Sequence, residues 1–167
     1  MDYAFFEALS REEAEEYLHG FKHAGRARIS DAWWSRLTRE GTTSICPYFA
    51  EVSDAVRVVQ RPLPRDTPSF VVQAMEREHG GFRDFADDDS RGAVLAAAFF
   101  LGAAFIESHP SLTWAVGAED VADAGQPMVS GFGTGSHLPV LSVAENLLIS
   151  FDEQRTTTAV TTWSKVV

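Results

Sequence analysis

The chain has 167 residues, 24 Asp and Glu against 14 Lys and Arg, a net charge of -10, 45% hydrophobic residues and one cysteine. A chain of this size fits a single domain able to bury roughly 70% of its unfolded surface, and its ordinary hydrophobic fraction excludes global disorder. Cys46 alone excludes an internal disulfide and a cysteine-based zinc site, and the net acidity disfavours phosphate backbones, so no nucleic-acid partner is expected.

At the start, Asp2 and Glu7 bracket the only apolar residues, without the positive and apolar regions of a secretory signal, so a cytoplasmic location is expected. Ser10 with Glu13 forms a capping-box pattern. The helix it opens carries Ala14, Tyr17, Leu18 and Phe21 on one face and is expected to stop near Gly25. Ser30 caps a second helix with Trp33, Trp34 and Leu37, and Gly41 suits the C-terminal position of positive φ. Adjacent helix positions point about 100° apart, so Trp33 and Trp34 cannot both face one core and at least one is expected to be partly exposed. The spacing of Val52, Ala55, Val56 and Val59 predicts a third helix over about 47–59.

Pro62, Pro64 and Pro68 break the helical series. Thr67 and Pro68 then suit the cap and first turn of a helix to about His79, ended by Gly80 and Gly81, with a short strand at Val71–Val72 as the alternative. Asp87 to Ser90 gather anionic and hydroxyl groups at the start of a helix over about 89–107. Its apolar run, residues 93–106, is 14 residues long, short of the roughly 20 that span a bilayer, so it reads as a buried core helix and no membrane is expected as partner.

Leu112 to Val116 and Pro127 to Phe132 have strand composition, with a turn at Gly133 to Ser136. Val143 to Ile149 reads as a short helix capped by Ser142, and the Thr-, Val- and Trp-rich segment from Arg155 to Val167 reads as a strand. The expected fold is α+β: N-terminal helices and one buried central helix packed against a small, mainly antiparallel C-terminal sheet. The helical part is expected at about 1–107 and the strand-rich part at about 108–167.

No chemical motif is complete. The Gly131–Ser136 string lacks the lysine and following helix of a phosphate loop, so it reads as a hairpin connection. His19 and His23 have chelating spacing but no adjacent glutamate, and Asp87–Asp88–Asp89 lacks the alternating oxygens of a calcium loop; no metal or cofactor is expected. Cys46 with His109 or His137 as base has no local signature and reads as simple burial. Glu107 is set apart by its place at the end of the apolar helix, before His109 and near Trp114.

Charge is divided unevenly. Residues 1–91 carry 12 basic and 17 acidic side chains; residues 92–154 carry no Lys or Arg and seven acidic ones, Glu107, Glu119, Asp120, Asp123, Glu145, Asp152 and Glu153. The scarcity of lysine, with Lys22 and Lys165 against twelve arginines, hints at a bacterial source.

Leu101–Gly102 on the apolar helix, Glu107 at its end, Trp114 on the next strand, Pro127 opening another and Leu138–Pro139–Val140 together resemble a pattern in uncharacterised small bacterial α+β proteins, some of which are immunity partners of secreted toxins. The resemblance covers about residues 95–150 and leaves the first 90 residues uncovered. It implies a cytoplasmic protein that blocks a toxin, often through an acidic surface matched to a basic cleft, and it transfers no catalytic residue. The leading expectation is therefore a non-enzymatic binding domain for a basic protein, more specifically an immunity protein, using Glu107, Glu119, Asp120, Asp123, Glu145, Trp33 and Trp34. One alternative is a small enzyme or ligand-binding protein with a pocket near Glu107, His109, Trp114 and His137. The other is a structural subunit of a larger assembly, and the oligomeric state is left open.

Overall fold

A computed structural model describes residues 4–61, 65–79, 83–118, 123–133 and 135–167. The elements are helices α1 (Ala4–Glu7), α2 (Arg11–Arg28) and α3 (Asp31–Glu40), a 3₁₀ turn (Gly41–Ser44), α4 (Ile45–Ala55), strand β1 (Val58–Gln60), α5 (Ser69–His79), β2 (Arg83–Phe85) and α6 (Asp88–Ser108). Strands β3 (Thr113–Val116), β4 (Pro127–Ser130) and β5 (Leu138–Pro139) follow, then α7 (Val140–Ile149) and α8 (Glu153–Ser164). The architecture is α+β, with a buried central helix and two small antiparallel sheets.

Helix α6 organises the rest. Asp87 caps it by accepting from the Ser90 amide at 2.8 Å, which satisfies an otherwise free donor of the first turn. From Val94 to Phe105 it is apolar on nearly every side, and all but Leu95 of those residues are buried. A helix of this kind needs neighbours all round. It has them: α2, α3, the 3₁₀ turn, α4, α7 and β4 all pack on it. Among the described helices α6 alone has the length and hydropathy to cross a membrane, yet it is enclosed by the chain's own elements. Two glycines set how closely neighbours approach. A Cβ on Gly102 would strike the Trp114 ring, and one on Gly25 would strike Phe99, so α6 meets β3 at the first and α2 at the second.

The capping box forms as expected: Ser10 N–H donates to Glu13 at 2.8 Å and the Glu13 N–H donates back to Ser10 Oγ at 3.3 Å. Helix α2 then runs past Gly25 to Arg28, because Gly25 is buried against Phe99 and serves close packing there, not termination. The expected Ser30 cap and Gly41 end of α3 are both present, Gly41 having φ 54°.

Three expectations need correction. The third helix occupies Ile45–Ala55, not 47–59: the Val56 N–H closes it on the Val52 carbonyl at 3.1 Å. The chain then turns into β1, which pairs antiparallel with β2 in the register Val58↔Phe85 and Gln60↔Arg83. Strands of three residues are too short to show an alternating pattern. Helix α7 begins at Val140 with Pro139 in the cap position, and Ser142 Oγ donates back to the Pro139 carbonyl at 3.2 Å.

The largest correction concerns the C-terminus. Residues 153–164 form a helix, not a strand. Asp152 caps it through the Arg155 amide at 2.6 Å, and the hydroxyls of Thr158 and Thr162 donate to the carbonyls of Gln154 and Thr158, four residues back. The β-branched residues thus spend their hydroxyls on the helix itself. Trp163, Val160 and Ala159 pack on the core from one face, and Trp163 meets Phe132 edge-on at 5.2 Å. Tertiary packing of that face outweighs a weak strand propensity.

The expected α5 is present from Ser69, and its alternative, a strand at Val71–Val72, is not; the ending at Gly80 and Gly81 lies outside the described residues. Strands β3 and β4 pair antiparallel, Trp114 opposite Val129, and β4 pairs with β5, Val129 opposite Leu138. Between β4 and β5, Gly131 (106°) and Gly135 (71°) have positive φ, which is the hairpin role read from the glycines.

Three carboxyls are held below their ordinary range. Hydrogen bonds from Ser10 hold Glu13 below 4.5, those from Arg36 and then Arg39 hold Glu40 below 4.5, and the Ser90 amide and hydroxyl, then Arg57, hold Asp87 below 3.8. A carboxyl whose folded pKa is depressed adds stability above its unfolded pKa and loses it as pH falls through the folded one. The melting temperature is therefore expected to fall as pH drops below 4.5, and Glu13→Gln with Asp87→Asn is expected to flatten that fall. A melting series over pH checks it.

Candidate functional site

The adjacent indoles of α3 straddle α6. Trp34 stacks on Phe99 with centroids 6.2 Å apart, and Phe99 stacks in turn on Trp114 at 5.8 Å. Trp33 lies edge-on to Phe100 at 6.0 Å and to Tyr48 at 5.1 Å, while Tyr48 stacks on Phe100 at 3.9 Å. The 100° between neighbouring positions is thus absorbed by using both sides of one central helix. Each indole remains half-buried, as expected for at least one of them. Each outer face carries a guanidinium: Arg26 lies 4.5 Å from the Trp34 ring centre and Arg36 5.1 Å from that of Trp33.

Beside Trp33 opens a groove of about 430 Å³ between the end of α2, α3, α4 and the first turns of α6. Its polar walls are Arg28, Glu51 and Asp89, and its apolar floor includes Val52 and Ala96. Trp33 Nε1 donates to Glu51 at 3.0 Å, fixing the indole edge against the carboxylate. Burial, with the nearby Glu51 charge as the smaller cause, pushes the Tyr48 hydroxyl up to about 12, so Tyr48 stays protonated throughout the physiological range. Sequence reasoning reached Trp33 but missed Arg28, Tyr48, Glu51 and Asp89. The available signal was Tyr48, Glu51, Val52 and Ala55, whose helical spacing puts a carboxylate on the side of α4 that lines the groove.

A second hollow, about 300 Å³, lies between the 3₁₀ turn and α8, lined by Thr42, Thr43, Cys46, Thr157, Thr161 and Ser164 among others. Cys46 is half-buried there, its Sγ 3.7 Å from the Glu153 carbonyl, an ordinary weak donor. On the other side of the same segment, Ser108 Oγ accepts from the Thr42 amide at 2.9 Å. The exposed Glu107 is the chain neighbour of Ser108, and the exposed Asp152 and Glu153 open α8. The segments that carry Glu107 and Glu153, about 45 positions apart, thus both touch the uncharged segment 42–46, through Ser108 and the Glu153 carbonyl.

The other expected acids are dispersed. Glu145 is only 8% exposed and lines a hollow of about 280 Å³ with Phe5, Phe6, Tyr17, Arg91 and Leu95. It faces that hollow instead of the open surface. Asp123 is half-buried and accepts from Gln126 Nε2 at 3.4 Å. Glu119 and Asp120 lie outside the described residues.

For the alternative pocket, His109 caps the end of α6 and its ring stacks at 6.4 Å on Phe105. His137 is exposed, one step beyond Leu138 of β5, which places it at the end of the sheet that holds the start of β3. Trp114 is turned the other way, over Gly102 and against Phe99 and Phe21. None of the hollows described above is lined by any of the four residues.

His19 and His23 are both exposed on α2, and among the described residues no three His, Cys, Asp or Glu side chains are grouped to hold a metal. Within the acidic run Asp87 caps α6, Asp88 pairs with Arg91 at 3.1 Å, and Asp89 turns to the Trp33 groove.

Comparison with known proteins gives no match to a protein-family model, a curated protein or a solved structure.

Proposed function

We propose that the chain is a non-enzymatic binding domain for a basic protein, with neutralisation of a basic toxin as the specific form of that activity. The observation that supports this reading most is the exposure of Glu107, Asp152 and Glu153 at two chain segments that touch the uncharged stretch 42–46 through Ser108 and the Glu153 carbonyl, within residues 92–154, which contain no Lys or Arg. Ion pairs concentrate elsewhere: Arg11 with Glu15, Arg36 and Arg39 with Glu40, Arg57 with Asp87 and Arg61 with Asp84 all lie in the first 91 residues. Glu107, Asp152 and Glu153 form no ion pair among the described residues, and such acids raise a negative potential that draws a cationic partner and accelerates its encounter.

The inhibitory form of the function needs no reactive group. It needs a rigid acidic surface that occupies a basic cleft, and the packing of both α8 and the 3₁₀ turn against the core supplies rigidity. Cytoplasmic residence belongs to the same proposal, since an immunity protein meets its toxin inside the producing cell.

The test is a charge series on the partner recovered by cross-linking from source cells. Glu107→Gln and Glu153→Gln are each expected to weaken binding about two- to fivefold, the range of an exposed ion pair, chiefly through slower association. Glu15→Gln, on α2 and already paired with Arg11, is expected to leave affinity unchanged. Equal effects from all three variants would remove the assignment of the surface.

A further inference from the structure

The Trp33 groove has a charge arrangement that the binding of a basic protein does not use. Arg28, at the end of α2, lays its guanidinium over Gly92, close to where a Cβ would stand. The Arg28 side chain makes no hydrogen bond or ion pair with another described residue, although Asp89 lines the same groove. Asp89 is equally without a partner among the described residues. Gly92 and Asp89 are three positions apart on α6, about 4.5 Å along its axis. Two opposite charges thus share one groove, a helical turn apart, and do not join.

Glu51 adds a second carboxylate, oriented by its bond from Trp33 Nε1. Trp33 and Tyr48 line the same groove and are held against Phe100. A groove of about 430 Å³ with an apolar wall and a few convergent polar groups has the general make-up of a small-molecule site.

We propose that this groove binds a free α-amino acid with an apolar side chain: its carboxylate on the Arg28 fork, its ammonium between Asp89 and Glu51, its side chain on Trp33. The guanidinium presents paired donors that match a carboxylate, and an ammonium brings three donors to two carboxylates. In an α-amino acid the two charges are carried on one carbon, which suits poles one helical turn apart. A chain end of a protein presents only one of them, so this ligand is distinct from the basic partner above and does not depend on it.

The experiment is titration calorimetry of the full chain with L-phenylalanine, compared with phenethylamine, which lacks the carboxylate, and 3-phenylpropionate, which lacks the ammonium. Saturable binding of L-phenylalanine is expected, with both truncated compounds weaker by at least about tenfold, the loss that follows when a charge-assisted hydrogen bond goes unmade. Arg28→Gln and Asp89→Asn are expected to weaken L-phenylalanine to a similar degree while keeping the melting temperature of the parent, since both side chains are exposed. Phenethylamine binding as tightly as L-phenylalanine would reduce the groove to a cation site, and 3-phenylpropionate doing so would reduce it to an anion site. Either outcome overturns the proposal, as does the absence of saturable binding by L-phenylalanine and the other apolar amino acids.

Discussion

Phe100→Ala is expected to destabilise the protein by about 3–5 kcal/mol, the usual cost of a large aromatic truncated in a closed core. Phe100 is completely buried near the middle of α6. Its ring stacks on Tyr48 at 3.9 Å and meets the edge of Trp33 at 6.0 Å. Removing it leaves a cavity that neither neighbour can fill, because Trp33 is held by its bond to Glu51 and Tyr48 is a buried residue carried by α4. Such a loss is a large share of the about 5–15 kcal/mol by which domains are usually stable. Urea unfolding measures it. The same variant is expected to change Trp33 fluorescence in the folded state, since the indole loses one of its two aromatic supports. A cost below about 1 kcal/mol would mean that α6 is not the centre of the core.

Gly41→Ala is expected to cost about 1–3 kcal/mol through its backbone alone, because φ of 54° with ψ of -131° is a region that side chains avoid. A further loss of about 1 kcal/mol is expected from the Thr42–Ser108 hydrogen bond. The new methyl would collide with Ser108 Oγ, which is the acceptor of that bond. Ser108→Ala isolates the second contribution and is expected to cost only about 1 kcal/mol. Gly20→Ala is the opposing control. Gly20 lies inside α2 with open space where its Cβ would go, so alanine there is expected to stabilise by about 0.5–1 kcal/mol. Equal effects at Gly41 and Gly20 would contradict the assigned conformations.

Gly41 also shows what a sequence can carry. A serine cap and an amphipathic run made α2 and α3 legible, a terminal glycine marked the end of α3, an acidic start with a continuous apolar run marked α6, and β-rich composition marked β3 and β4. Each signal has a local physical cause. The α+β class followed from the same signals. Where the deciding interaction is distant, the pattern fell silent or misled. Gly25 resembles a stop signal until Phe99 of α6 is placed against it. The threonines of α8 carry strand propensity, yet an aspartate cap and one packed face make them helical. The pairing of Val58 with Phe85 spans a whole helix and leaves no trace in either three-residue segment.

The same division applies to the sites. Trp33 and Trp34 could be singled out because neighbouring positions on a helix must diverge. That they straddle Phe99 and Phe100 required the position of α6. The acidic bias of residues 92–154 was visible by counting, whereas its partition was not: Glu107, Asp152 and Glu153 reach the open surface, and Glu145 turns into a hollow. Arg28, Glu51 and Asp89 come from three different helices, and nothing short of the fold brings them to one groove.

The reading of the whole molecule rests on an acidic surface that meets a basic partner. Its most direct test is the salt dependence of that association, measured by titrating the cross-linked and then purified partner against the intact chain at increasing ionic strength. The account predicts a partner of high isoelectric point whose affinity falls steeply with salt, with association slowed more than dissociation is hastened. A partner of acidic or neutral character, or an affinity indifferent to salt, would contradict it.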